Sequence, residues 1–240
     1  MKWLRTLVLF DQGNVISSDD WKSLHESYVR SIQSIDNPPG SGKLCLRKKL
    51  PLPNNQWLRN SVGYLRARFL DHIQNVEGWK TEGVVDLARD RQQPPIRLYP
   101  YLEKYREPIT SNFGGFDLVT KGDDKTKIAI EWETGNISSS HRSMNKLAIA
   151  LGAGIIQIGV LIVPSRNLYE HLTDRIGNIG ELSGYLSMWE SLKARVPHGL
   201  LAISVVEHDE LTDDENFRFL KVGADGRAAE GKAKKAETKK

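Results

Sequence analysis

The sequence predicts an α/β fold, a central mixed β-sheet flanked by helices. Three observations lead there. Ile155 to Val163 and Leu200 to Val206 are short runs rich in Ile, Val and Leu that read as buried strands. Phe116 to Thr120 and Ile128 to Glu133 are short strand-like segments, the second ending in an alternation of Glu131, Trp132 and Glu133, and Gly122-Asp123-Asp124 between them is a turn signal, so they form a hairpin. Helical periodicities lie around and between these segments, and strands alternating with helices imply a mixed sheet covered by helices.

In chain order, Asp19 to Ser34 carries Trp21, Leu24, Tyr28 and Ile32 on one stripe and predicts the first helix. Asn37-Pro38-Pro39-Gly40-Ser41-Gly42 ends it as a loop. A second helix is expected from Gln56 to Val76, with Val62, Leu65, Phe69 and either His72 or Ile73 inward. Gln92 to Pro100 is proline-rich and irregular, and the hairpin follows. Met144, Leu147, Ala148 and Leu151 then mark one face of a helix. After the strand to Val163, Asn167 to Ile176 reads as helical through Leu168, Leu172 and Ile176. A further helix shows in Leu182, Tyr185, Leu186, Trp189 and Leu192, before the last strand. Residues 227–240 contain only Ala, Lys, Glu, Gly, Thr and Arg, which cannot bury a core, and predict a disordered tail after a single domain, 1–226.

Composition narrows the function. A chain of 240 residues with 39% hydrophobic content suits one domain of ordinary size. The formal charge of +4 belongs to the tail, and residues 1–225 balance to zero. Affinity for DNA would therefore require charges segregated onto one face. Cys45 is the only cysteine, which excludes an intramolecular disulfide and fits a reducing cytoplasm. The apolar run Thr6 to Phe10 is too short for a signal peptide, and no stretch approaches a membrane span. The expectation is a soluble cytoplasmic protein without a membrane partner. No P-loop or dinucleotide fingerprint is present, so no nucleotide cofactor is expected, and the five histidines other than His141 show no metal or triad spacing.

The chemistry concentrates in Lys127 to Lys146. Period-two geometry puts Glu131 and Glu133 on one face of the hairpin's second strand and Ile130 and Trp132 on the other. Asp117, near the start of the first strand, is placed to converge with Glu131 on a metal ion. Phosphodiester hydrolysis needs an activated water, charge neutralisation at phosphorus and a stabilised leaving oxygen, and hard divalent ions on oxygen ligands supply them. The run Asn136 to Asn145 begins a helix, whose N-terminal N–H groups favour phosphate. Carboxylates beside such donors point to a nuclease. Each piece also has a plainer reading. Glu-x-Glu is common on half-exposed strands, Asn136 and Ser138 fit simple helix caps, and Arg142 fits a solvated surface arginine. Asp174-Arg175 fits a local ion pair, and Asp225-Gly226 fits a turn.

The stretch Glu131 to Lys146 resembles the BamHI-like family of Type II restriction endonucleases. The family's motif, Glu-Phe-Glu-Thr-Gly-Asn-Ile-Ser-Ser-Ala-His-Arg-Ser-Met-Asn-Lys, differs only at Trp132 and Ser140. Leu172-Thr173-Asp174-Arg175, Asp225-Gly226, and Gly114-Gly115 with Asp117 also match, while the likeness is weak before about residue 60. The resemblance implies a restriction-endonuclease-like core of the PD-(D/E)xK type and Mg²⁺, two ions per active site. It makes Asp117, Glu131 and the Trp132 carbonyl metal ligands and Glu133 the general base, where many nucleases of this fold carry lysine. Trp79-Lys80-Thr81-Glu82 resembles the family's Trp-Tyr-Arg-Glu and offers Glu82 as the fourth acid. The long spacing from Glu82 to Asp117, with its insertion at 87–110, leaves Glu103 and Glu107 as rivals.

By the same resemblance Asn136, Ser138, Arg142, Asp174 and Arg175 read the major groove of double-stranded DNA, and Asp225 and Gly226 reach the minor groove. These residue types suit the task, since arginine pairs with guanine and a carboxylate accepts from cytosine. With every one of these identities kept, the resemblance implies the palindrome GGATCC, cut G/GATCC to leave 5′ overhangs. The alternatives are a related nuclease of altered sequence preference and a DNA-binding protein that has lost cleavage. A palindrome also implies a homodimer. The apolar C-terminal half of the Met144–Leu151 helix, with the Leu168–Ile176 helix, is the expected interface, and His141 a packed or interface residue.

Overall fold

The structure, a computed structural model, describes residues 1–83, 115–122, 126–173 and 175–220. Strand β1 (Lys2–Gln12) leads into helix α1 (Asp19–Gln33). Ser18 caps that helix by accepting the Trp21 N–H at 3.1 Å, and Asp19 and Asp20 complement the dipole of its first turn. The short strands β2 (Cys45–Arg47), β3 (Leu50–Leu52) and β4 (Gln56–Leu58) precede helix α2 (Val62–Asn75) and strand β5 (Lys80–Gly83). The hairpin follows as β6 (Phe116–Lys121) and β7 (Lys127–Trp132), then helix α3 (Ile137–Gly152) and strand β8 (Ile158–Pro164). One-turn helices α4 (Arg166–Tyr169) and α5 (Ile179–Leu182), helix α6 (Leu186–Ser191), and strands β9 (Gly199–Glu207) and β10 (Glu210–Thr212) complete the order.

Among the described residues six strands form the main sheet, in the order β1-β9-β8-β7-β6-β5. The centre, β7-β8-β9, is parallel, while β1 and the pair β5-β6 are antiparallel to their neighbours, so the sheet is mixed as expected. All of β8 is buried because helices cover both faces. Ile158, Val160 and Ile162 face the α1/α2 layer with Tyr28, Leu65 and Phe69, and Trp132 packs on Phe69 at 4.7 Å between ring centroids. Leu161 and Val163 face α3 and α6 with Met144, Leu147 and Trp189. Among the described residues no helix is long and apolar enough to cross a membrane.

Three expectations need correction. The second helix starts at Val62, not Gln56, because Gln56–Leu58 pairs with Leu50–Leu52 and Ser61 caps the helix by accepting the Gly63 N–H. Its buried face ends on Ile73, while His72 bonds to Ser31. The helix expected over Asn167–Ile176 is only the single turn α4. Arg175 has φ 48°, in the left-handed region that no α-helix accepts. Leu168, Leu172 and Ile176 are still buried, so the spacing reported burial without a helix. The run from Leu182 to Leu192 is broken into α5, α6 and tight turns, and Tyr185 is exposed. Met144, Leu147, Ala148 and Leu151 are buried in the chain's own core, which leaves Ile149 as the exposed apolar residue on the C-terminal half of that helix. Gln92–Pro100, the 87–110 insertion, the turn residues Asp123 and Asp124, and the tail lie outside the described residues.

Candidate active site and the adjoining helix

Antiparallel pairing of β6 with β7 sets Leu118 across from Ile130, which brings Asp117 abreast of Glu131 at the open end of the hairpin. One Asp117 oxygen accepts the Trp132 N–H at 2.9 Å, and the other takes the Arg66 guanidinium from α2 at 2.8 Å. Glu131 is buried and forms an ion pair with Lys146 of α3. Lys146 Nζ also donates to the Gly115 carbonyl at 2.8 Å. Glu133, just past the strand, is buried as well. Its Oε1 accepts the Gly135 N–H at 2.6 Å, and its Oε2 is enclosed without a fully formed hydrogen bond. Neither Lys146 nor Arg66 stands out as a partner by spacing, because each reaches its acid from a helix packed against the hairpin.

Crowding of carboxylates in a dry setting shifts their acidity. Burial pushes Glu131 up to about 7, the Asp117 charge adds to the rise, and Lys146 opposes it. Burial likewise pushes Glu133 up to about 7, opposed by the Ser140 hydroxyl and the Gly135 and Thr134 N–H groups, with Asp117 again raising it. For an acid raised in the fold, the native state holds the proton that the unfolded chain releases above 4.5. Stability is therefore lost as pH rises from about 4.5 to about 7. His25 and His171 are lowered by burial and slope the other way, so the expected result is a difference. Glu133→Gln should remove on the order of 3 kcal/mol of this pH-dependent loss in chelator. Thermal unfolding of both proteins across that window checks it, and parallel curves would refute the shift.

Asn136 caps α3, its Oδ1 accepting the Ser138 N–H at 3.0 Å and the Ser139 N–H at 3.3 Å. It is therefore a cap whatever else it does. Asn136, Ser138 and Arg142 are all exposed around the first turns of this helix. Ile176 bridges Asn136, and the Gly177 N–H donates to the Gly135 carbonyl at 3.0 Å, which brings exposed Arg175 alongside the helix start. At its other end the same segment is tied down by Asn60. This buried residue exchanges backbone hydrogen bonds with His171 and Thr173, and its amide reaches the carbonyls of Arg47 and His171. His141 packs edge-on against Tyr185 and also against Trp189, as a packed residue would.

Space, not backbone freedom, dictates the glycine at 177. A Cβ there would come within 2.0 Å of the buried Ser140 Oγ. Gly177→Ala is expected to destabilise by roughly 1–3 kcal/mol or more through overpacking. Ser140→Ala in the same chain should recover part of that loss in thermal unfolding. An unchanged midpoint for Gly177→Ala would disprove the close approach.

Glu82 lies on β5, where Thr81 across from Leu118 and Gly83 across from Phe116 put its backbone abreast of Asp117. Glu103, Glu107, Asp174, Asp225 and Gly226 fall outside the described residues. The structure thus brings Asp117, Glu131, Glu133 and the Trp132 backbone together, with the Glu82 backbone in register beside them. Among the described residues no three His, Cys, Asp or Glu side chains converge closely enough to hold a metal as they stand. The donor chemistry nonetheless fits a hard divalent ion. The acids offer only oxygen, and Glu133 Oε2 is buried and unsatisfied.

Comparison with known proteins agrees with this architecture. The chain is 47% identical to Type II restriction enzyme OkrAI of Oceanobacter kriegii over 100 residues, 42% of this chain and 50% of that enzyme. That match spans half of the relative's length. It is 45% identical to Type II restriction enzyme BamHI of Bacillus amyloliquefaciens over 184 residues, 75% of this chain and 76% of that one. The crystal structure of restriction endonuclease BglII complexed with a DNA 16-mer shares the fold, with a TM-score of 0.52 at 8% identity, covering 89% of this chain and 79% of that one. The model of the family described as restriction endonuclease BamHI matches residues 1–227, so the likeness runs well upstream of residue 60, and the chain belongs to that family.

Proposed function

We propose that this chain is a Type II site-specific endonuclease, one domain over 1–226 with a basic tail, that hydrolyses double-stranded DNA as a homodimer. The observation that carries the reading is the cluster of Asp117, Glu131 and Glu133 at one end of the β6–β7 hairpin, continuous with the exposed polar start of α3. Asp117, Glu131, the Trp132 carbonyl and Glu82 would hold Mg²⁺, two ions per site, with Asp117 giving up its Arg66 contact for it and Glu131 keeping Lys146 beside it. The ions would supply Lewis acidity at the scissile phosphate and charge for the leaving oxygen. Glu133, with an acidity near neutrality and one unsatisfied oxygen, is suited to take the proton from an attacking water. Asn136, Ser138, Arg142, Asp174 and Arg175 would read base edges in the major groove, and Asp225 and Gly226 would reach the minor groove.

The proposed site is GGATCC, cut G/GATCC. What supports it is that this chain keeps the family motif's Asn136, Ser138, Arg142, Asp174 and Arg175. The test is cleavage of a plasmid bearing a single GGATCC site, with and without Mg²⁺, followed by sequencing of the ends. Cutting at that site with four-base 5′ overhangs is the expected outcome. Cutting elsewhere would make it a nuclease of altered preference, and binding without cutting would overturn the enzymatic reading.

A further inference from the structure

Lys146 sits on the buried face of α3, one turn beyond Arg142, at 8% exposure. Its ammonium meets the Glu131 carboxylate and donates to the Gly115 carbonyl at 2.8 Å, and it lies 4.8 Å from the centre of the Phe116 ring. Desolvating an ammonium is expensive, and an apolar side chain of similar length would fill such a place at less cost in stability. Packing therefore does not account for a lysine here. What the lysine does that a methionine would not is join three parts. It links the carboxylate at the end of β7, the main chain leading into Asp117 on β6, and the helix whose first turns present Asn136, Ser138 and Arg142.

We propose that Lys146 is a positioning residue through which α3 holds Glu131 in its working orientation, fixing the acid cluster to the helix that faces the DNA. The proposal rests on the nuclease reading above. Its ammonium fills the space beside Glu131 from the helix side, at a site where the strand position often given to lysine in this fold carries Glu133. Misplacing a reacting group by about an ångström lowers a rate by roughly a hundredfold. Lys146→Met should therefore show a loss in kcat of that order, with KM and the affinity for GGATCC in chelator unchanged. Lys146→Arg, which keeps the charge, should recover most of the rate. If the methionine variant does not fold, Lys146→Gln, which keeps a donor for the Gly115 carbonyl, replaces it with the same expectation. A second readout is independent of activity. Lys146→Met should lower the thermal midpoint by leaving Glu131 buried and unpaired, and Lys146→Met with Glu131→Gln should restore it.

Unchanged kcat in the neutral variants would overturn the proposal. So would a rate loss matched by an equal loss of DNA affinity, an arginine variant as slow as methionine, or a double variant no more stable than the single. A chain that does not cleave before any substitution defeats the nuclease reading instead, so the two failures are distinguishable.

Discussion

Asp117→Ala is expected to lower cleavage by roughly a thousandfold or more, since a metal's charge stabilisation is worth several kcal/mol and each 1.4 kcal/mol is a factor of ten. Binding to the same DNA should survive or tighten, because a carboxylate near phosphate repels it when no cation intervenes. The structure sharpens the choice of substitution. Asp117 Oδ2 accepts the Trp132 N–H, so alanine also strands a backbone donor, whereas Asp117→Asn keeps an acceptor there. Arg66, released by either change, has 32% of its side chain exposed and can turn to water. The fold should tolerate the loss. Single-turnover cleavage alongside a binding titration in chelator checks both halves. Near-normal cutting by either variant would remove Asp117 from the catalytic site.

Glu131 is the instructive contrast. Its partner Lys146 is buried, so Glu131→Ala leaves an unpaired ammonium in the core at a cost of roughly 3–5 kcal/mol. Loss of cleavage in that variant would not separate chemistry from folding, and Glu131→Gln is the fairer probe.

Arg175→Ala is expected to erase most of the discrimination between GGATCC and sites with one altered G·C pair. A bidentate arginine–guanine pair contributes roughly 1–3 kcal/mol, and two-fold symmetry doubles the loss per palindrome. Stability should change little, because Arg175 is exposed. Its left-handed φ of 48° makes Arg175→Gly a useful companion, one that relieves the backbone while also deleting the guanidinium. Truncation after Gly226 should instead weaken binding to all sequences alike and lower the salt dependence. An Arg175→Ala protein with unaltered preference, or a truncated one that cuts a new sequence, would overturn the assignment.

Much of the central fold was legible because its signals are local. Ile158–Pro164 is apolar throughout, and the α1 stripe of Trp21, Leu24, Tyr28 and Ile32 is buried as its spacing requires. Strand β1 has a weak sequence signal because it is an edge with two register shifts, and only Phe10 is buried along it. The small pairings β2 with β10 and β3 with β4 likewise carry little local signal. The first joins segments more than 160 residues apart, and no periodicity reveals it. The broken helices after Ser165 share a cause. Leu172 and Ile176 keep helical spacing, but the main chain between them is held by Asn60 and Asn136 instead of by its own turns. At the candidate site, alternation put Glu131 and Glu133 on one face, the hairpin put Asp117 beside them and the family resemblance gave their roles, whereas Arg66 and Lys146 had no such signal, since tertiary packing selects which bases meet which acids.

The straps at Asn60 and Asn136 bear on any attempt to retarget this protein. Arg175 lies close to two anchored points of the chain, one at Thr173 and one at Ile176–Gly177. Its side chain can be exchanged in a library while those points stay moored. Insertions, deletions or loop grafts spanning 173–177 would cast off an anchor and shift every residue that faces the helix start. New specificities in this scaffold should therefore emerge from point libraries at fixed length, and loops transplanted from relatives should succeed only when both moorings travel with them.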